Sequence, residues 1–156
     1  MPTIETRLAR LLDEAAIRDL IARFADCAIR EDYDTFATLW APDARWTIGK
    51  PTDIAASGTD DIVAMLRHLW QGNDYFTHFA IPGTVDLDGD TATTRTVCHE
   101  AASGPDGRFY RNNGVWSDRF QRTSDGWVFA SRQYTYLWVD FSEFSGDAFA
   151  GAGRTL

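Results

Sequence analysis

The sequence predicts a single α+β domain in which three helices pack on the concave side of a strongly curved, cone-shaped, mixed or antiparallel sheet around a central pocket. The chain has 156 residues, enough for one domain with a substantial core and too few for two ordinary ones. Apolar residues recur at helical spacing through the first half and at a spacing of two thereafter. Helices followed by an antiparallel meander pack against one face of the sheet, and a bent sheet around the first helix leaves a cavity.

The first helix is predicted over Asp13–Asp32, where one apolar stripe recurs at helical spacing. A shorter helix follows over Tyr33–Ala41 and is ended by Pro42, because a proline disfavours helical geometry in the residue before it. A short strand is then expected over Ala44–Ile48. The stripe of the first helix consists of Ile17, Leu20, Ile21, Phe24 and Ala28.

The third helix is predicted to begin at Thr59, which we expect to act as its N-cap. Asp60 and Asp61 follow in the first turn, where the helix dipole favours acidic side chains. Four strands should come next, with hairpin turns at Asp88-Gly89 and at residues 124–126. The four predicted strands are Tyr75–Leu87, Thr91–Ala101, Phe109–Arg122 and Trp127–Val139. We expect one domain over residues 1–140 and a C-terminal tail over 141–156.

Composition and charge limit the kinds of molecule that the protein is expected to bind. Aromatic residues make up 13% of the chain, which suits the lining of an apolar pocket or an oligomer interface. The formal net charge is −8 and no Lys/Arg cluster is present, so a nucleic-acid partner is not expected. No long apolar run or signal-peptide pattern occurs, so we expect no membrane association and a cytoplasmic protein. Cys27 and Cys98 should be buried free thiols.

Several segments, in order and at matching spacing, point to one family. They are residues 13–21 (DEAAIRDLI), 24–26 (FAD), 39–44 (LWAPDA), Trp46, 77–79 (THF) and 125–129 (DGWVF). Together they resemble SnoaL-like proteins of the nuclear-transport-factor-2-like superfamily. That group includes scytalone dehydratase, a hexachlorocyclohexane dehydrochlorinase and polyketide cyclases. The small subunits of ring-hydroxylating dioxygenases share the fold without carrying catalysis, so fold alone does not fix function.

The resemblance implies a catalytic base at His78, in the segment Phe76–Ala80 that matches the family's catalytic strand. Imidazole titrates near neutral pH and is therefore a suitable general base. In the family an Asp near the end of the first helix orients this His, but the matching position here is Ile29. Asp26 and Asp32 are the two candidates to replace that Asp. Asp26 should face away from the core, whereas Asp32, at the helix end, should lie nearer the apolar side.

The resemblance and strand alternation indicate further site residues. Arg132 matches a pocket Arg on the last strand and could bind an anion; an ion pair with an acidic neighbour on the sheet is the alternative. Alternation places it on one face with Tyr134, Tyr136 and Trp138. His99 is a second catalytic candidate, although a register slip would move it to the other face. The remaining predicted substrate-binding residues are Tyr33, Trp46, Asn112 and Trp116, and Tyr75 is expected near the pocket mouth.

These observations favour a cofactor-independent lyase or isomerase acting on a small hydrophobic cyclic or aromatic molecule. A non-catalytic binding protein is the first alternative, because Ile29 removes the family's orienting acid. A structural partner of a larger redox enzyme is the second. No metal-ligand spacing, phosphate loop or nucleophile motif is present, so we expect neither metal nor cofactor. Aromatic residues on both sheet faces predict a homodimer or homotrimer.

Overall fold

The structure is a computed structural model that describes residues 2–149. Within these residues the chain forms three helices and six strands. The helices are α1 (Ile4–Arg30), α2 (Tyr33–Thr38) and α3 (Thr59–Trp70). The strands are β1 (Trp40–Ile48), β2 (Ile54–Ser57), β3 (Tyr75–Asp88), β4 (Thr91–Ser103), β5 (Phe109–Thr123) and β6 (Gly126–Asp140). The four long strands lie within two residues of their predicted bounds, whereas the short strand β2 was not predicted.

The strands form one open mixed sheet in the order β2-β1-β6-β5-β4-β3. All neighbouring strands are antiparallel except β1 and β6, which are parallel. The three helices pack against this curved sheet, and the predicted fold class is confirmed.

Bulges give the sheet its curvature, because an extra residue bends a strand and increases its twist. The register shifts by one residue in β3 between Pro82 and Val85, and twice along β6 where it pairs with β5. In β3 the chain passes so close to β4 that a Cβ at Gly83 would lie 2.6 Å from the Arg95 carbonyl oxygen. The Gly83 carbonyl accepts a hydrogen bond of 3.0 Å from Arg18, which ties α1 to the bulge.

Helix α1 is longer than predicted. It begins at Ile4 rather than at Asp13, with Thr3 as its N-cap. The leucines of its first turns are exposed, so they do not belong to the buried stripe from which the helix was predicted. The predicted stripe from Ile17 to Ala28 is buried, as expected. None of the described helices is long and apolar enough to cross a lipid bilayer.

Two predicted boundaries are wrong near Pro42. Helix α2 ends at Thr38, and β1 begins at Trp40, because the Leu39 carbonyl accepts a 2.8 Å hydrogen bond from Phe129 and draws the chain into the sheet. Pro42 lies inside the strand, where the register between Trp40 and Arg45 is broken and a missing N–H is tolerated.

The predicted cap of α3 is also wrong. The helix begins at Thr59 as predicted, but Gly58 occupies the N-cap position and forms no side-chain capping bond. Gly58 has a φ of 82°, in the left-handed region that glycine adopts without strain.

An aromatic cluster surrounds Phe24 in the core between the helices and the sheet. The Phe24 ring lies with its centroid 5.3–6.0 Å from five surrounding aromatic rings, in tilted or edge-on contacts typical of packed aromatic cores. These five rings belong to Phe36, Trp40, Trp46, Trp116 and Phe129. The two cysteines are buried free thiols, as predicted, and burial raises the pKa of Cys27 to about 11.

Candidate active site

A cavity of about 520 Å³ lies between the helices and the concave face of the sheet. This volume suits a small organic ligand. The apolar part of the lining consists largely of Phe24, Trp46, Ile48, Leu66, Trp70 and Trp116. The lining also carries a set of polar side chains, the polar wall, which consists of Thr52, His78, Glu100, Tyr110, Tyr134 and Tyr136.

His78 and Glu100 form a buried pair in the wall of this cavity. Nδ1 of His78 lies 2.9 Å from Oε1 of Glu100, and the two side chains are 1% and 13% exposed. The two residues are direct cross-strand partners on β3 and β4. The β3 bulge between Pro82 and Val85 produces this pairing, because the turn-proximal register, continued without a shift, would place Ala101 opposite His78.

Glu100 accepts hydrogen bonds from two further side chains. Asn112, its cross-strand partner on β5, donates from Nδ2 at 3.0 Å, and the Tyr110 hydroxyl donates at 3.2 Å, both to Oε2. Burial raises the pKa of the Glu100 carboxyl, but the hydrogen bond and the positive charge of His78, together with the hydrogen bonds from Asn112 and Tyr110, outweigh that effect and hold the pKa below its usual range. Glu100 is therefore an ionised carboxylate in an apolar cavity.

The charge on Glu100 determines the tautomer of His78. An ionised carboxylate only accepts hydrogen bonds, so Nδ1 of a neutral His78 carries the ring proton. Nε2 then holds the lone pair, and it has no hydrogen-bond partner among residues 2–149. The rings of Phe24 and Trp116 lie 5.9 and 6.4 Å from the imidazole centroid and restrict its rotation.

A chain of hydroxyl groups continues from Glu100 along the polar wall. The Tyr110 and Tyr136 hydroxyl oxygens are 3.0 Å apart, and the Tyr136 oxygen is 2.7 Å from Oγ1 of Thr52. On the other side, Tyr134 donates to Oδ1 of Asn112. A Cβ at Gly114 would overlap the Tyr134 ring, so a glycine there gives that ring its position. Burial raises the pKa of the Tyr110 and Tyr134 hydroxyls, so both remain protonated donors.

Arg132 lies beside the cavity rather than in its wall. Its side chain is fully buried, with Nε 3.1 Å from Oδ1 of Asp118, the cross-strand neighbour on β5. The guanidinium carbon lies 4.0, 4.4 and 4.8 Å from the ring centroids of Phe24, Trp116 and Phe129. Burial raises the pKa of Asp118, and the Arg132 charge opposes that rise. Of the two alternatives for Arg132, the structure shows the ion pair.

His99 lies on the opposite face of the sheet from His78. Its Nδ1 is 2.9 Å from Oδ1 of Asn113, and its ring stacks on the exposed Phe79. The one-residue bulge in β3 gives Glu100, rather than His99, the face that His78 occupies. His99 is therefore separated from the cavity by the sheet itself, and the expectation that it joins His78 is wrong.

Other predicted positions divide between the cavity and its surroundings. Trp46, Trp116, Tyr134 and Tyr136 line the cavity, and Asn112 lies behind Glu100. Tyr33 and Tyr75 do not line it: an Arg67 guanidinium covers the first ring, and the second packs on Phe144.

Trp138 does not share the face of Tyr136. Leu137 is an extra residue in β6, so Trp138 pairs with Asn113 on the convex side. Neither acid considered as a replacement for the family Asp reaches His78. Asp26 is exposed and pairs with Arg30 at 3.4 Å, and Asp32 caps α2 by accepting from the Thr35 amide at 3.1 Å.

Glu100 is the main site residue that sequence reasoning missed. Strand alternation could have identified it, because the other inward positions of β4 carry small or apolar side chains. An acidic residue at one of these inward positions is buried, and a buried carboxylate requires hydrogen-bond donors. Tyr110 lies two residues before Asn112 on β5 and therefore on the same face, so the same alternation could have identified it. Residues 2–149 contain no group of three or more His, Cys, Asp or Glu side chains arranged to hold a metal ion.

The tail contributes to the cavity mouth. The cavity lining includes Phe141, and Phe144 packs against Phe109 with ring centroids 5.2 Å apart. No helix or strand occurs over residues 141–149. The rest of the predicted tail, residues 150–156, lies outside the described residues.

Comparison with known proteins gives consistent matches. A family model described as a SnoaL-like domain matches residues 9–133. An NTF2-like protein with a cystatin-like fold from Novosphingobium aromaticivorans is 28% identical, over 100% of this chain and 99% of that one, with a TM-score of 0.74. No curated protein sequence is similar enough to count as a match.

Two solved structures of named enzymes share the fold at lower identity. The hexachlorocyclohexane dehydrochlorinase LinA-type3 from Novosphingobium barchaimii LL02 is 18% identical, over 92% of this chain and 98% of that one, with a TM-score of 0.79. A protein assigned as a scytalone dehydratase from Novosphingobium aromaticivorans DSM 12444 is 16% identical, over 94% and 97%, with a TM-score of 0.76. The resemblance inferred from the sequence is confirmed.

The buried Arg132–Asp118 pair yields a prediction about stability. We expect Asp118→Leu or Arg132→Met alone to lower the free energy of unfolding by about 3–5 kcal/mol, because each leaves a buried charge without its partner. The double variant should lose much less than the two single losses added together. Urea denaturation of all four proteins measures this, and strictly additive losses would show that the two side chains are not coupled.

Proposed function

The chain belongs to the family of SnoaL-like domains, and we propose that it is a cofactor-independent lyase or isomerase whose general base is His78. Its substrate would be a small hydrophobic molecule with a cyclic or aromatic skeleton. The observation that carries the proposal is the 2.9 Å contact between His78 and a buried, ionised Glu100 in the wall of an apolar cavity.

In the proposed reaction, Nε2 of His78 removes a proton from a carbon atom of the substrate. The C–H bond breaks, an N–H bond forms, and the electron pair remains on the substrate. In a lyase this pair expels a leaving group, whereas in an isomerase it is protonated again at another atom. A positioned base of this kind contributes about 10²–10⁴-fold in rate, which suffices for an already acidic C–H bond.

Glu100 acts as a positioning residue in this proposal. Its charge holds the Nδ1–H tautomer before proton transfer and stabilises the imidazolium afterwards, because the pair becomes cation and anion 2.9 Å apart. Asn112 and Tyr110 hold the carboxylate in place from the opposite side. The family places an orienting acid on the first helix, and here a carboxylate from the adjacent strand could supply the same effect.

The replacement at Ile29 favoured a non-catalytic binding protein, and the Glu100 contact weakens that reading. A pocket that only binds its ligand needs neither a carboxylate bonded to Nδ1 of the His nor an Nε2 without a partner, and His78 has both among the described residues. Two structural neighbours are named as a dehydrochlorinase and a dehydratase, names that describe eliminations. They support, at the level of fold, chemistry that begins with proton removal.

Proton abstraction can be tested without knowing the substrate. We expect the protein to accelerate deuterium exchange at the acidic carbon of 2-tetralone in heavy water, because this ring compound fits an apolar cavity and offers an acidic C–H. His78→Ala should reduce the excess rate about 10²-fold or more. Proton NMR follows the exchange, and tryptophan fluorescence follows ligand affinity. His99→Ala, on the other face, should retain the wild-type rate; equal exchange in wild type and His78→Ala would refute the proposal.

The role of Glu100 has a spectroscopic signature. In Glu100→Gln the amide oxygen should keep accepting from Asn112 and Tyr110, so the amide nitrogen donates to Nδ1 of His78. The ring proton then moves to Nε2, which can no longer act as a base. Nitrogen-15 NMR of labelled histidine should show this exchange of tautomers, together with loss of 2-tetralone exchange. Retention of the Nδ1–H tautomer with unchanged exchange would mean that Glu100 is only a structural residue.

We also infer a homodimer or homotrimer from the convex face of the sheet. Exposed apolar side chains lie next to one another there, since Ile81 pairs with Val97 and Phe79 with His99. Leu137 and Trp138 extend the patch onto β6. Clusters of this kind on a soluble domain commonly mark an interface.

Light scattering during gel filtration tests the inferred assembly. The wild-type protein should show two or three times the mass of one chain, and Ile81→Arg should shift it to the mass of one chain by placing a charge in the interface. Ser124→Arg, at an exposed position in the turn between β5 and β6, adds the same charge away from this patch; it is the matched control and should leave the assembly intact. A monomeric wild-type protein would contradict the inference.

A further inference from the structure

The hydroxyl groups on the polar wall form a chain with a single direction. Tyr110 donates its one hydroxyl proton to Glu100, so it cannot also donate to Tyr136. The 3.0 Å contact between the two tyrosines is therefore Tyr136 donating to Tyr110. Tyr136 has then used its own proton, and the 2.7 Å contact with Thr52 is Thr52 donating to Tyr136. Every proton in the chain points toward the Glu100 charge.

This direction leaves an acceptor at the end of the chain. Oγ1 of Thr52 has spent its proton on Tyr136, and its lone pairs have no partner among the described hydrogen bonds. The Thr52 side chain lines the cavity. A ligand that complements this position must donate a hydrogen bond rather than only accept one.

The end of the chain is held in a fixed place. Thr52 lies in the segment between β1 and β2, where the Gly49 amide donates to the Tyr134 carbonyl at 3.0 Å and the Asp53 amide donates to the Gly49 carbonyl at 3.0 Å. The first bond attaches the segment to β6, the strand that also carries Tyr136, and the second closes the turn within the segment. The acceptor is therefore part of the built wall of the cavity.

The charges around the cavity exclude one class of ligand. Glu100 places a negative charge in the cavity wall. Among the described residues that line the cavity, Arg108 is the one Lys or Arg side chain. Arg108 is already bound to Asp106 at 2.7 Å and is largely exposed. An anionic ligand would meet the Glu100 charge at low dielectric without a free counter-charge.

We propose that the cavity selects a neutral ring compound carrying a hydroxyl group, and that this hydroxyl donates to Oγ1 of Thr52. Thr52 and Tyr136 are then the residues that determine specificity. This inference rests on the proposed function only in using the same cavity as the ligand site, and it does not require that His78 be catalytic. It names the ligand class of a site whose chemistry is otherwise set by His78 and Glu100.

A competing reading comes from two tryptophans of the cavity lining. The Trp46 and Trp116 side chains line the cavity, and their indole N–H groups are buried without a partner in the part of the chain that the structure describes. Had these donors governed selection, the favoured ligand would be an ether or ketone, which only accepts. The two readings predict opposite orders of affinity for matched ligands.

The test compares 2-naphthol with 2-methoxynaphthalene, which have the same ring system but differ in whether they can donate. Calorimetric titration at a pH where the naphthol is neutral should show the naphthol binding about three- to tenfold more tightly, the difference that one neutral hydrogen bond makes. Thr52→Val should abolish that preference by removing the acceptor. Tyr136→Phe should also abolish it, because Thr52 regains a free proton and can donate to the methoxy oxygen.

Thr47→Val is the matched control, because Thr47 lies on β1 outside the cavity lining and should leave the preference unchanged. Equal affinity of wild-type protein for the two compounds, or tighter binding of the ether, would overturn the proposal. So would a naphthol preference that survives Thr52→Val. Since the His78→Ala exchange assay measures proton removal and these titrations measure binding alone, either proposal can fail while the other stands.

Discussion

The buried negative charge of Glu100 is the constraint on which the rest of the site depends. A carboxylate in an apolar cavity is costly unless donors surround it, and here His78, Asn112 and Tyr110 each supply one. Each donor is thereby oriented, and the orientation passes from Tyr110 through Tyr136 to Thr52. One charge thus determines the tautomer of His78 and the direction of the hydroxyl chain.

A second buried charge pair lies beside the first and has a different character. Arg132 and Asp118 are both fully buried and are cross-strand partners on the neighbouring strands β6 and β5. Aromatic rings cover the guanidinium. Such a pair offers little to a ligand, because neither group lines the cavity. It instead joins the aromatic cluster to the sheet. The contrast shows why a cationic side chain on the predicted strand face need not be a binding residue.

The comparisons agree with this division between scaffold and site. The match to a SnoaL-like domain and the solved structures in the same fold account for the helices, the curved sheet and the cavity. They leave the orienting acid open, because the chain carries Ile29 where the family pattern places an Asp. A carboxylate on the neighbouring strand lies in contact with the imidazole instead. In this cavity the carboxylate that contacts the His comes from β4 and not from α1.

The sequence by itself determined the elements of this protein that depend on local pattern. Apolar periodicity identified the buried stripe of α1, alternation identified four strands, and a short motif identified His78. The partner of that His was decided only by tertiary structure. One extra residue in β3, between Pro82 and Val85, moves the pairing by one position and brings Glu100 rather than Ala101 opposite His78. Sequence alternation cannot reveal such a shift, because the bulge depends on contacts that its backbone makes with other elements, namely the close approach of Gly83 to Arg95 on β4 and the hydrogen bond from Arg18 on α1.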